Sequence, residues 1–77
     1  MKEKVLEILK EVKKEYEFYE SIDLIKEGIL DSFDIVDLAT ALDKEYQISI
    51  EGEDISSANF RNLEAICKVL RKNGVKQ

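Results

Sequence analysis

The sequence predicts an all-α fold, a small bundle of three main helices plus one short helix, with a long loop between the first two. Three observations predict it. Apolar residues recur at steps of three and four in three separate stretches. The one candidate strand, Ile48-Ser49-Ile50, has no second strand to pair with. The 77 residues contain no proline and no Gly/Ser/Pro tract that could act as a linker, so residues 1–77 form a single domain without internal repeats.

The first helix follows from Val5, Ile8, Leu9, Val12 and Tyr16, separated by Lys and Glu, and is expected over about residues 2–14. From residue 15 to 30 the period is lost, yet Phe18, Tyr19, Ile22, Leu24, Ile25, Ile29 and Leu30 are too apolar for a solvated linker. This stretch is expected to be a long loop laid over the core, and loops of that length in a small domain are usually functional. Gly28 followed by Asp31-Ser32 marks a new helix start, because Asp and Ser accept hydrogen bonds from first-turn amides. The second helix is expected over about residues 32–46, with Ile35, Leu38, Leu42 and Tyr46 on its buried face. Residues 47–57 are mixed, and a single helical turn around Glu53-Asp54-Ile55 is preferred to a lone strand. Ser57 or Asn59 can cap the last helix, whose apolar face is Phe60, Leu63, Ile66, Cys67 and Leu70, and Gly74 can end it.

Composition narrows the function classes. A core this small stabilises a fold only marginally, which leaves little scope for a large catalytic cavity. Cys67 is the single cysteine and histidine is absent, so there is no internal disulfide, no imidazole base for a nucleophile and no common zinc or copper ligand set. No glycine-rich phosphate loop is present. The expectation is therefore a protein that is not an enzyme and holds no metal. A net charge of −5 argues against binding the phosphate backbone of nucleic acid and points to basic protein surfaces as partners. No apolar run approaches the roughly 20 residues of a membrane span. The opening Met1-Lys2-Glu3-Lys4 lacks the features of a signal peptide, so the chain is expected to begin at or near Met1 and to be cytoplasmic.

Candidate chemistry converges on Glu27-Gly28-Ile29-Leu30-Asp31-Ser32-Phe33. Asp31-Ser32 alone is also what an ordinary N-cap looks like. A serine at a helix head, however, offers its hydroxyl to solvent where the free amides and helix dipole favour a phosphate ester. Phe33, Val36 and Thr40 form a second, outward stripe edged by Asp34 and Asp37. An apolar strip bordered by acids has the character of a docking surface.

The run Asp31-Ser32-Phe33-Asp34-Ile35-Val36-Asp37-Leu38-Ala39-Thr40-Ala41-Leu42-Asp43-Lys44-Glu45-Tyr46 resembles the Asp-Ser-Leu-x-x-Val-Glu-Leu-x-x-x-Leu-Glu-x-x-Phe stretch of acyl carrier proteins. The resemblance extends over nearly the whole chain, including the first helix, the long loop, Ile50 four residues after Tyr46, and the last helix. It implies an acyl-carrier-like bundle, expected to be monomeric. Ser32 would accept a 4'-phosphopantetheine arm from coenzyme A, and Asp31 would help engage the phosphopantetheinyl transferase. Asp34, Asp37 and Asp43, with Phe33, Val36 and Thr40, would form the docking face for the ligase or synthase enzymes that load and use an acyl or aminoacyl thioester.

Lys44 and Thr40 depart from the acid and the methionine usual in fatty-acid carriers. Gly28-Ile29-Leu30-Asp31-Ser32-Phe33 is closer to the Gly-Leu-Leu-Asp-Ser-Phe of D-alanyl and other stand-alone carriers, although Asp34 replaces their glycine. Two cargo classes thus stay open: acyl groups of fatty acid or polyketide assembly, and D-alanyl or aminoacyl groups of cell-wall modification or nonribosomal assembly. A rival of another class is an unmodified helical protein-interaction module.

Overall fold

A computed structural model describes residues 1–19 and 21–76. Helix α1 is Lys2–Val12, α2 is Ser32–Tyr46 and α3 is Leu63–Lys72, with one 3-10 turn at Gly52–Asp54; among the described residues there is no strand. The all-α bundle is therefore as expected. Helix α1 packs against both α2 and α3.

Helix α1 turns Val5, Ile8 and Leu9 inward. It ends two residues short of the expected boundary, because Lys13 leaves helical geometry at φ −129°, ψ 78°, while its amide still bonds the Leu9 carbonyl at 2.8 Å. Tyr16 consequently leaves the buried stripe and is 40% exposed. Helix α2 occupies the expected span. Gln47 stops it in the left-handed region at φ 55°, and the amides of Gln47 and Ile48 both reach the Asp43 carbonyl. Its inner face is Ile35, Leu38, Ala39 and Leu42, whereas Tyr46, expected in the core, is only partly buried at the rim.

The start of α3 differs from the expectation. Asn62 is the cap, its Oδ1 accepting from the Ala65 amide at 2.8 Å, and neither Ser57 nor Asn59 fills that role. Ser56 and Ser57 instead belong to a separate turn, closed by the Phe60 amide on the Ser56 and Ser57 carbonyls. The Arg61 carbonyl is taken by the Leu24 amide at 2.6 Å, and Asn62 is extended, so helix cannot run through from Ser57. Phe60 is fully buried from this turn rather than from a helix face. Gly74, at φ 91°, ends α3 as expected.

The long loop lies on the core. Ile22, Leu24, Ile29 and Leu30 are buried, the amides of Ile29 and Leu30 both bond the Leu24 carbonyl, and Asp23 Oδ1 accepts from the amides of Ile25 and Lys26. Gly28, at φ 71°, allows the chain to turn back toward α2. The radius of gyration of 11.1 Å is close to the ~11.5 Å of a compact domain of this length, which an extended loop would exceed. The core is wholly apolar among the described residues, with Phe60, Leu9, Leu24, Leu38, Leu42 and Leu63 among its fully buried side chains. Cys67 is buried there, and that burial pushes its thiol pKa up.

Candidate functional site

Ser32 is the first residue of α2, one position inside the cap. The cap itself is Asp31, whose Oδ1 accepts from the Asp34 amide at 2.9 Å while Asp34 Oδ2 accepts from the Asp31 amide at 3.1 Å. This reciprocal pair is a capping box built from two aspartates. Because the box uses residues 31 and 34, the Ser32 side chain is not needed for it. Ser32 is exposed, and among the described residues nothing hydrogen-bonds its hydroxyl. The amides of Ser32 and Phe33 have no partner within the helix, which makes the helix start favourable for an attached anion.

Asp34 is largely covered, with its side chain 17% exposed, and its Oδ2 also meets Lys13 Nζ at 3.0 Å. Burial by itself would raise the carboxyl pKa. The hydrogen bond from the Asp31 amide and the Lys13 ammonium outweigh it and hold Asp34 below the ordinary value. Lys13 is pushed up in turn, chiefly by its hydrogen bond to Asp34.

The six docking candidates separate into two groups. Phe33 is 78% and Val36 51% exposed, and both Asp37 and Thr40 are exposed beside them. Phe33 and Val36 are the outward apolar pair of α2. Thr40 donates its hydroxyl back to the Val36 carbonyl at 3.0 Å. Asp37 makes no hydrogen bond or ion pair with any described residue. Asp34 and Asp43, by contrast, are engaged inside the molecule: Asp34 as described, and Asp43 as acceptor from the Ile50 amide at 2.9 Å, which fixes the chain leaving α2.

Beside Ser32 an open cleft of about 360 Å³ is lined by Leu30, Ser32, Ile35, Val36, Ile55 and Ser56, among others. It joins the loop, α2 and the segment after the 3-10 turn. A cleft of about 410 Å³ between Met1, Tyr46, Ile48 and Val75 lies at the other end of α2, some ~21 Å along the helix axis. That cleft is lined by no serine, threonine or cysteine, and burial raises the Tyr46 phenol pKa above its already high ordinary value. Ser32 is the better candidate. Among the described residues no cluster of His, Cys, Asp or Glu is placed to hold a metal, and no helix is long and apolar enough to cross a membrane.

Lys13 and the capping-box role of Asp34 are site features absent from the sequence-based expectation. The spacing Asp31-x-x-Asp34 was visible, since an acid three residues after an N-cap is a capping-box signal. Lys13 gave no local signal, because its partner lies across the long loop. Comparison with known proteins finds no match to a family model, to a curated protein or to a solved structure.

Proposed function

We propose that this chain is an acyl carrier protein that bears its cargo as a thioester on a 4'-phosphopantetheine arm at Ser32. The supporting observation is the free, exposed Ser32 hydroxyl on the first turn of α2, in a cap completed by Asp31 and Asp34. The resemblance of residues 31–46 to carrier sequences supports it independently.

The residues present fit the arm. Ser32 Oγ would form the new bond to phosphorus and give up its proton, while the bond from that phosphorus to the adenosine bisphosphate half of coenzyme A breaks. The phosphodiester then sits at a helix start whose free amides stabilise its charge. The arm supplies a terminal thiol that holds a carboxylic acid as a thioester. The chain contributes the tether, which raises the effective concentration of cargo at each partner enzyme. Phe33, Val36 and the unpaired Asp37 suit weak, fast docking of the transferase and of acyl- or aminoacyl-activating ligases or synthases, since charge complementarity speeds encounter.

Incubation with coenzyme A and a phosphopantetheinyl transferase is expected to add one arm to the wild-type chain and none to Ser32→Ala, read by intact mass. No addition, or addition that survives the substitution, would falsify the carrier reading. Tight binding of a partner by the unmodified chain, unchanged in Ser32→Ala, is what an interaction module would give instead.

A further inference from the structure

We propose that Lys13 is a positioning residue for arm attachment at Ser32, acting through Asp34. The inference rests on the carrier reading of Ser32 and concerns a residue far from it in sequence.

Asp34 Oδ2 is shared between the Asp31 amide at 3.1 Å and Lys13 Nζ at 3.0 Å. Of the ion pairs Lys13–Asp34, Lys2–Glu64, Lys4–Glu45 and Lys72–Asp54, this is the one with both side chains sheltered, at 21% and 17% exposure. Exposed pairs are weakly held. The Tyr16 ring lies 5.8 Å from the Lys13 ammonium and adds a second restraint. Lys13 is also the residue at which α1 ends, so its cation sits favourably at that helix's negative pole.

Two effects reach Ser32 from this contact. The first is geometric. The box closes only if the Asp34 carboxylate points back to the Asp31 amide, and Lys13 holds it there. Fixing the Asp31 amide and the Asp34 amide fixes the turn that carries Ser32. The second is electrostatic. The donor, coenzyme A, brings a diphosphate to a serine flanked by two aspartates within one helical turn, and like charges repel. Lys13 offsets the charge of Asp34 and so lowers that repulsion, while Asp31 stays exposed for the transferase.

The test compares the rate of arm attachment, by intact-mass time course with coenzyme A and a phosphopantetheinyl transferase, in wild type, Lys13→Met, Lys13→Arg and Lys4→Met. Lys13→Met is expected to lower kcat/KM about three- to tenfold, the scale of one sheltered ion pair with one cap contact. Lys13→Arg should recover most of the loss. Lys4→Met breaks a remote pair and should match wild type. In an Asp34→Asn background, Lys13→Met should have no further effect. On the unmodified chain, hydrogen exchange at the Asp31 and Asp34 amides should quicken in Lys13→Met and not in Lys13→Arg.

Attachment as fast in Lys13→Met as in wild type overturns the proposal. So does an equal loss in the Asp34→Asn background, which would make Lys13 a direct contact of the transferase. If wild type gains no arm, the carrier reading fails instead, and the exchange rates still decide whether Lys13 fixes the box.

Discussion

Asp34 illustrates how one carboxylate can look like a surface charge in sequence and act as a structural one. Its pKa is held down by the Asp31 amide and Lys13 against the opposing effect of burial. A carboxyl with a lower pKa folded than unfolded contributes stability above its unfolded value and loses it as pH falls through the folded one. Lys13 has the opposite sign: raised when folded, its contribution is full below its ordinary 10.5 and is lost only above that. The pair therefore acts across the neutral range and fails on the acid side through Asp34. Urea midpoints of wild type and Asp34→Asn should differ by a constant amount near neutrality, and the gap should close below the ordinary carboxyl value of 3.8. A gap that does not narrow as pH falls below that value would refute this. Ser32 itself was legible, because serine after an aspartate before a periodic stripe is a local pattern. That its hydroxyl is free depends on Asp34 closing the cap, and Lys13 lay beyond any local window.

Among the elements, legibility tracks how locally each boundary is determined. Both ends of α2 were readable, since Asp31-Ser32 starts it and Tyr46 closes its apolar stripe. The apolar period of the sequence puts the start of α3 too early, because that start is fixed from a distance. Leu24, on the loop, takes the Arg61 carbonyl and forces a break before Asn62. Phe60 still belongs to the core, so its period matched a helix that begins only at Leu63. Asn62→Ala should lower unfolding free energy by about 1 kcal/mol, the usual cost of a lost N-cap, whereas Ser57→Ala should lie within ~0.5 kcal/mol of wild type. Urea unfolding followed by circular dichroism distinguishes these; equal losses in both would contradict the assignment of the cap.

Over the whole molecule, a net charge of −5 gives a field that attracts basic partners, but the acids differ in availability. Asp37 stands free beside Phe33 and Val36, while Asp34 and Asp43 hold the molecule together. On the proposed carrier reading, Asp37→Lys is expected to slow arm attachment several-fold at low salt, with the difference shrinking as salt screens it, and to leave the thermal midpoint nearly unchanged. A rate independent of both substitution and salt would remove Asp37 from the docking face. Charge reversal at Asp34 would not be an equivalent test, because it also opens the cap. The fold class was readable at this scale from the three apolar stripes; how the loop is fastened was not. Leu24 is bonded to Arg61, and α1 packs on α3 as well as on α2, so both early segments take a partner from the last third of the sequence. Synthesis proceeds from the amino terminus, and during translation Ser32 emerges well before Arg61 and Leu70. A nascent chain can therefore display Ser32 and the residues of its cap before the loop that precedes them is fastened to Arg61 and before α1 has α3 to pack on.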